Sequence, residues 1–374
     1  MKLIHSETKL LEMKIKTSRA NLLTEVAFGV RFAFEEALPK LIDATNKKIV
    51  LITDSNIEKL YQSNIEALNI KTFSFPAGEA SKTRETKALL EDLLLSHHFG
   101  KDSHIIALGG GVVTDLVGFL AATYCRGVTL TLVPTTLLGM VDACLGGKTG
   151  VNTPYGKNAI GSFYPPTEVL IDVGFLTKLP QEQLVGGMVE VIKYGLIQSK
   201  PLFETMQTSK ERWDRLDLPF IMEIIQQSLK IKHEVIIEDP FEEKGTRRIL
   251  NFGHTMGHAL ETLENYHLDH GSAVAIGMAA ASLISMNREL LSQKEFDEIL
   301  NLLALYNMPV HRPAAHSIDD LMSLLARDKK AQLATPRFVL LKEIGVVGSY
   351  DGEYCDTVSF EEIETAFNWI YKEL

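Results

Sequence analysis

Three short runs in the first half of the chain, Lys48–Asp54, His104–Leu108 and Val128–Val133, are β-rich and apolar on both faces. That pattern marks strands buried in a parallel sheet. A segment of helical periodicity lies between the first two, from about Lys82 to His98, and another runs from Val113 to Cys125 after Gly109-Gly110-Gly111. From about Pro180 the pattern changes to amphipathic helical segments, at about 181–199, 218–238, 252–265, 271–291 and 294–305. The expected architecture is therefore α/β, with a Rossmann-like domain over 1–178 followed by an all-α domain over 179–374. No repeat or low-complexity linker separates them, so the domains are expected to pack with a cleft, where pockets favour forming.

Strand, glycine turn and helix in succession suit a dinucleotide, because absent side chains let backbone N–H groups approach a pyrophosphate at a helix N-terminus. The signal is weak alone, since the GxGxxG spacing is not met. A second glycine-rich stretch, Asp142 to Asn158, reads as a loop without periodicity. Its Lys148, Lys157 and Asn158 offer point charges and an amide for phosphate or polyol oxygens. The P-loop spacing fails there as well.

Charge and composition narrow the chemistry. The 374 residues carry 38 Lys and Arg against 48 Asp and Glu, a net charge of −10, which argues against nucleic acid or an anionic membrane surface as partner. Arg126, Lys193, Lys232, Arg247 and the pair Lys329-Lys330 stand out in so acidic a chain and point to a small anionic substrate. No signal-peptide layout or membrane-length apolar run is present, so a cytoplasmic location is expected. Cys125, Cys144 and Cys355 are odd in number and lack paired spacing, so reduced thiols are expected.

The densest chemistry lies in Asn251-Phe-Gly-His254-Thr-Met-Gly-His258-Ala-Leu-Glu261, followed by Asp269-His270-Gly271. His254 and His258, four apart, share a helical face, and His270 falls just past the helix end. Glu190, three before Lys193 on an apolar helix, is the best carboxylate to join them. Two imidazoles and one carboxylate leave a catalytic zinc one open position.

Together these motifs resemble the 3-dehydroquinate synthase family over nearly all of residues 45–345. The resemblance rests on Pro76-Ala-Gly78-Glu79 with Lys82, Gly109 to Asp115, Tyr124-Cys125-Arg126-Gly127, Pro134-Thr135-Thr136, Val141 to Asn152, Gly156-Lys157-Asn158, Glu190 to Gly195 and Asn251 to Gly271. It implies conversion of a phosphorylated seven-carbon keto acid to a carbocycle by transient oxidation with NAD+, β-elimination of phosphate, re-reduction and internal aldol closure. A divalent metal, zinc or cobalt, would be held by Glu190, His254 and His270, with His258 facing substrate. NAD+ would be gripped by Asp54, Glu79, Lys82, Gly110, Gly111, Val112, Val113, Thr114, Asp115, Thr135, Thr136, Lys148, Lys157, Phe175 and Lys178. Substrate would meet Lys148, Asn158, Lys193, Lys232, Arg247, Asn251, His258 and one of Lys329 or Lys330. Arg126 would reach a neighbouring subunit's site, which implies a homodimer.

Two other enzyme classes compete. Sugar-phosphate cyclases that make different carbocycles share the scaffold, but Lys148, Asn158, Asn251, His258 and Lys330 together favour the dehydroquinate reaction. Metal-dependent polyol dehydrogenases resemble the two-domain layout, but the many phosphate-suited cations argue against them. A structural metal would have four closed protein ligands, and three are in view.

Overall fold

The computed structural model describes residues 11–16, 23–265, 267–309, 311–326, 335–350 and 353–373. Contacts divide the chain into two compact units, Met1–Leu179 with Ile221–Glu223, and Pro180–Phe220 with Ile224–Leu374.

The first unit is built on a seven-stranded sheet. Its strands are β1 (Leu11–Lys16), β2 (Leu23–Gly29), β3 (Lys48–Asp54), β4 (Lys71–Phe75), β5 (Ser103–Gly109), β6 (Thr129–Pro134) and β9 (Glu168–Asp172), in the order β1-β2-β9-β6-β5-β3-β4. Only the β1–β2 pair is antiparallel. The three expected strands are the adjacent interior strands β6, β5 and β3, and every residue of β5 is buried. Each buried Val, Leu or Ile contributes about 1.5–3 kcal/mol, which is why continuous apolar runs settle in the middle of a covered sheet. The helices Arg84–Ser96 and Gly111–Thr123 match the expected periodic segments.

The stretch read as a loop is in large part a hairpin of β7 (Lys148–Thr153) and β8 (Gly156–Phe163). Gly150 faces Gly161 across it, and a Cβ on Gly161 would fall 1.9 Å from the Thr149 carbonyl oxygen. Glycines that read as loop signals are here what lets two strands lie close. The hairpin is held against the helix Gly111–Thr123, where a Cβ on Gly118 would lie 2.5 Å from Thr149 Cγ2.

The second unit is mainly helical, and Gln181–Gln198, Leu218–Glu238, His254–Leu263, His270–Asn287 and Gln293–Leu305 match the five periodic segments. Two small ladders add to it, Arg337–Phe338 with Asp356–Thr357 and Leu341–Glu343 with Val346–Val347. Strands of two or three residues leave no period in the sequence to detect. The helix His270–Asn287 is buried from Gly271 to Ser285 and shares a core with Leu260, Phe296, Phe338 and Phe367. Among the described residues no helix is long and apolar enough to cross a membrane, and none of Cys125, Cys144 and Cys355 forms a disulfide.

Candidate active site

In the first unit the chain runs from β3 to β4 on one side, then places β5 on the other side of β3. Such a reversal opens a crevice at the carboxyl ends of the strands, the usual ligand position in open α/β sheets. Asp54 ends β3, and its Oδ1 accepts from the N–H groups of Asn56 (2.9 Å) and Ile57 (3.0 Å). β5 ends in the glycine turn, and no side chain caps the helix that follows. A Cβ on Gly111 would meet nothing nearer than 4.0 Å, whereas one on Gly110 would come within 2.9 Å of Thr136 Cγ2. The backbone at Gly111 is thus open to a ligand, and Thr136 backs the turn. Val113 and Thr114 are buried in its first turns, with Val112 partly buried beside them. Thr135 Oγ1 is buried without a hydrogen-bond partner. An uncapped helix start, an open glycine and an orphaned hydroxyl at one sheet end fit a dinucleotide.

Lys82 and Asp115 pair at 2.5 Å, with side chains 5% and 20% exposed. Burial raises the Asp115 carboxyl above its usual range, and the Lys82 ammonium opposes that rise. Asn152 ties this corner together, its Nδ2 donating to Glu79 Oε1 and its N–H to the Lys82 carbonyl, both at 2.7 Å. Lys148 and Asn158 are exposed on the hairpin and Lys157 is partly buried there. Asn158, at φ 52°, donates its N–H to Asn152 Oδ1. Phe175 packs edge-on against Phe34 and Tyr61, and Lys178 Nζ lies 4.5 Å above the Tyr61 ring. Arg126 is exposed in a turn where Cys125, Arg126 and Gly127 all take positive φ, at 48°, 60° and 105°. Lys101 Nζ donates to the Arg126 carbonyl.

In the second unit glycines bring three helices to backbone contact. A Cβ on Gly271 would lie 2.4 Å from Gly186 Cα, one on Gly277 would lie 1.9 Å from the Gly253 carbonyl oxygen, and one on Gly257 would lie 2.9 Å from that of Ala273. Close approach at Gly186, one turn before Glu190, sets that carboxylate beside His270. Glu190 Oε1 is buried and has no hydrogen-bond partner, and it lies 3.6 Å from His254 Nε2 and 3.9 Å from His270 Nε2. Those gaps are long for hydrogen bonds but match ligand atoms that share one ion at roughly 2.0–2.2 Å each. The donor set Glu190, His254 and His270 therefore fits a divalent metal.

Lys193 Nζ bonds the other oxygen, Glu190 Oε2. His254 Nδ1 lies 3.1 Å from the Phe252 carbonyl, which directs Nε2 at Glu190 when Nδ1 carries the proton. Burial first, then the charges of Lys193, His258 and His270, hold the His254 imidazole well below its usual range, so it stays neutral as a metal ligand must. His258 is exposed one turn further along, its ring 5.3 Å from that of His254. Lys232 and Arg247 are buried cations at 5% and 2% exposure, and Asn251 is partly buried. Asp239 accepts from the N–H groups of Glu243, Lys244 and Arg247, and Arg247 Nη1 donates to the Pro240 carbonyl. Arg248 turns instead to Glu353 at 2.8 Å. Lys329 and Lys330 lie outside the described residues. Reading the sequence did not assign roles to Asp239 or Glu261, although Glu261 stands seven residues after His254 and so on its helical face.

An open parallel sheet with a glycine-turn ligand end, and a helical unit with a carboxylate–imidazole donor set, define the architecture of the sugar-phosphate cyclases. Two solved structures share it: ValA (2-epi-5-epi-valiolone synthase) from Streptomyces hygroscopicus with NAD+ and Zn2+ bound, at TM-score 0.83, 28% identity and coverage of 93% of this chain and 97% of that one; and 2-deoxy-scyllo-inosose synthase complexed with carbaglucose-6-phosphate, NAD+ and Co2+, at TM-score 0.82, 25% identity and coverage of 97% and 100%. Within that class, sequence profiles of the 3-dehydroquinate synthase N-terminal and C-terminal regions match residues 72–186 and 187–331. A 3-dehydroquinate synthase of Desulforamulus reducens is 42% identical over 308 residues, 80% of this chain and 86% of its own length. The chain belongs to the 3-dehydroquinate synthase family.

Proposed function

We propose that the chain converts 3-deoxy-D-arabino-heptulosonate 7-phosphate to 3-dehydroquinate and phosphate, a step of aromatic amino acid biosynthesis, with NAD+ and a divalent zinc or cobalt ion as cofactors. In a member of this family, the observation that carries the reading is the orphaned Glu190 Oε1 facing two imidazole Nε2 atoms. When bound, the ion supplies Lewis acidity at a substrate hydroxyl and NAD+ supplies a hydride acceptor that is restored within the turnover.

The chain's own groups bind, orient and balance charge. Residues 1–178 take the NAD+ role, through Asp54, Glu79, Lys82, the turn Gly110 to Asp115, Thr135, Thr136, Lys148, Lys157, Phe175 and Lys178. Residues 179–374 take the metal and most substrate roles. Glu190, His254 and His270 hold the ion, and Lys193 keeps one Glu190 oxygen occupied so that the other is directed at the imidazoles. The buried cations Lys232 and Arg247 neutralise substrate carboxylate and phosphate, with the Arg247 loop fixed by Asp239. Asn251, the exposed His258, Lys148, Asn158 and one of Lys329 or Lys330 complete the polar contacts, and preorganised charge of this kind stabilises an anionic transition state. Arg126, exposed in its left-handed turn, serves the site of a second copy in a homodimer.

The test is to follow phosphate release and reduced nicotinamide together during turnover of the keto-acid phosphate. Phosphate is expected only when NAD+ and metal are present, with no accumulation of NADH. Stoichiometric NADH without phosphate would reject the cyclase reading in favour of a polyol dehydrogenase.

A further inference from the structure

His270 opens its helix and turns its two ring nitrogens to different carboxylates. Nε2 lies 3.9 Å from Glu190 Oε1, and Nδ1 lies 3.5 Å from Glu261 Oε1. Glu261 is 2% exposed on the helix His254–Leu263 and has no place in the roles assigned above. His254 is arranged in parallel, with Nε2 3.6 Å from the same Glu190 oxygen and Nδ1 on a backbone carbonyl. A metal-binding imidazole whose outer N–H is donated to an acceptor has its tautomer and ring plane fixed, and a carboxylate acceptor also makes the inner nitrogen more basic. The two histidines thus differ in their support: His254 leans on a neutral carbonyl, His270 on a buried carboxylate.

Resting on the metal reading above, we propose that Glu261 is the positioning residue for His270, accepting its Nδ1–H, directing Nε2 at the ion and strengthening that bond. A rival role exists on the same atoms. Ligand atoms of His258, Glu261 and His270 also lie within 4.8 Å of one another, which offers Glu261 as a direct ligand of a second ion. Nδ1 cannot both donate a proton to Glu261 and bind an ion, so the two roles exclude each other.

Cobalt titration separates them, read by visible absorption and by competition with a chelator, on the full chain and on Glu261→Ala, Glu261→Gln and His270→Ala. Wild type is expected to bind one equivalent, and Glu261→Ala to bind it roughly 10–100-fold more weakly, as loss of such support typically costs. Glu261→Gln, whose amide oxygen still accepts from Nδ1–H, should recover part of that loss. In the cobalt-loaded wild type, proton NMR should show a paramagnetically shifted exchangeable N–H for each of His254 and His270, and the His270 signal should vanish or move in Glu261→Ala. A lowered unfolding temperature with unchanged affinity and unchanged N–H signals would mean a merely structural role and overturn the proposal. A second cobalt equivalent in wild type that Glu261→Ala abolishes would overturn it too, in favour of direct ligation. If wild type and His270→Ala both fail to bind cobalt, the metal reading itself falls and takes the proposal with it. Should Glu261→Ala not fold, the isosteric Glu261→Gln decides through the same N–H signal and affinity.

Discussion

The glycine turn of the first unit and the histidine cluster of the second use the same residue type in opposite ways. At Gly111 the missing side chain is room for a ligand, since an added Cβ would meet nothing nearer than 4.0 Å. At Gly271 the missing side chain is room for another helix, since an added Cβ would lie 2.4 Å from Gly186 Cα. In the function proposed, one site takes its ligand with backbone amides that any sequence carries, the other with side chains that must arrive together. The first should therefore be damaged by adding bulk, and the second by removing donors or by separating the helices that present them.

The largest effect is expected at the donors. His270→Ala removes a proposed metal ligand outright, so metal content should fall in elemental analysis and kcat should drop by well over the roughly 10–100-fold that loss of a supporting residue costs. His258→Ala, exposed and one turn from His254, should lose turnover while keeping its metal. Equal metal loss in both variants would make His258 a ligand and undo the three-residue assignment.

Gly271→Ala tests the other half of the claim. The new methyl meets helix backbone rather than a flexible side chain, and overpacking of this kind costs about 1–3 kcal/mol. Thermal unfolding should drop by several degrees, roughly 2–4 °C per kcal/mol for a domain of this size, and cobalt affinity should fall with it, because His270 is the neighbouring residue. Unchanged metal affinity would show that the glycine contacts do not set the ligand geometry.

How much of this was legible in the sequence follows from the same contrast. The central strands and the five long helices of the second unit carry their period over many residues, so they could be read, and β5 is buried throughout as its unbroken apolar run predicts. The hairpin Lys148–Phe163 was missed because Gly150 and Gly161 interrupt any alternation. Two near-equal runs flanking Thr153-Pro154-Tyr155-Gly156 were the available sign of a turn. The donors themselves were visible as residue types, yet spacing alone favoured His254 with His258, and family resemblance was needed to set His270 beside Glu190. Nothing in spacing reveals that helix–helix contact at Gly186 and Gly271 brings them together, because the determining distance lies between residues far apart in the chain. Glu261 was on view at the right helical offset, but its meaning depends on which way the His270 ring turns.

Gly111→Ala should separate ligand from fold with opposite signs. At a helix start with open space around it, alanine relieves the glycine entropy cost, a gain of up to about 0.5–1 kcal/mol. In the proposed NAD+ site the same methyl stands where backbone approaches a pyrophosphate, so the Kd for NAD+ measured by calorimetry should rise roughly tenfold, about 1.4 kcal/mol, with cobalt affinity untouched. Tighter NAD+ binding in this variant would remove the glycine turn from the cofactor site.

The smallest effect is a control remote from both glycines and donors. Arg288 bonds Glu362 at 2.5 Å and 2.9 Å, tying the helix Phe360–Glu373 to the core of the second unit. The Arg288 hydrogen bond lowers the Glu362 carboxyl to about 2, against burial and with help from Ser359. A carboxyl lowered on folding contributes stability that is full above its unfolded value near 4.5 and is lost as pH falls toward 2. With the side chain 28% exposed, solvent screening reduces the contribution to about 1–2 kcal/mol. Glu362→Gln should therefore unfold at lower urea than wild type at about pH 7, and the gap should narrow as pH falls below about 4.5 and close only toward about pH 2. Metal and NAD+ affinities should stay at wild-type values at neutral pH, because this pair supports the packing of one helix and touches neither donor set. If cobalt affinity falls together with stability, the histidine cluster depends on the whole core of its unit, and the separation drawn between helix contact and general packing is too sharp.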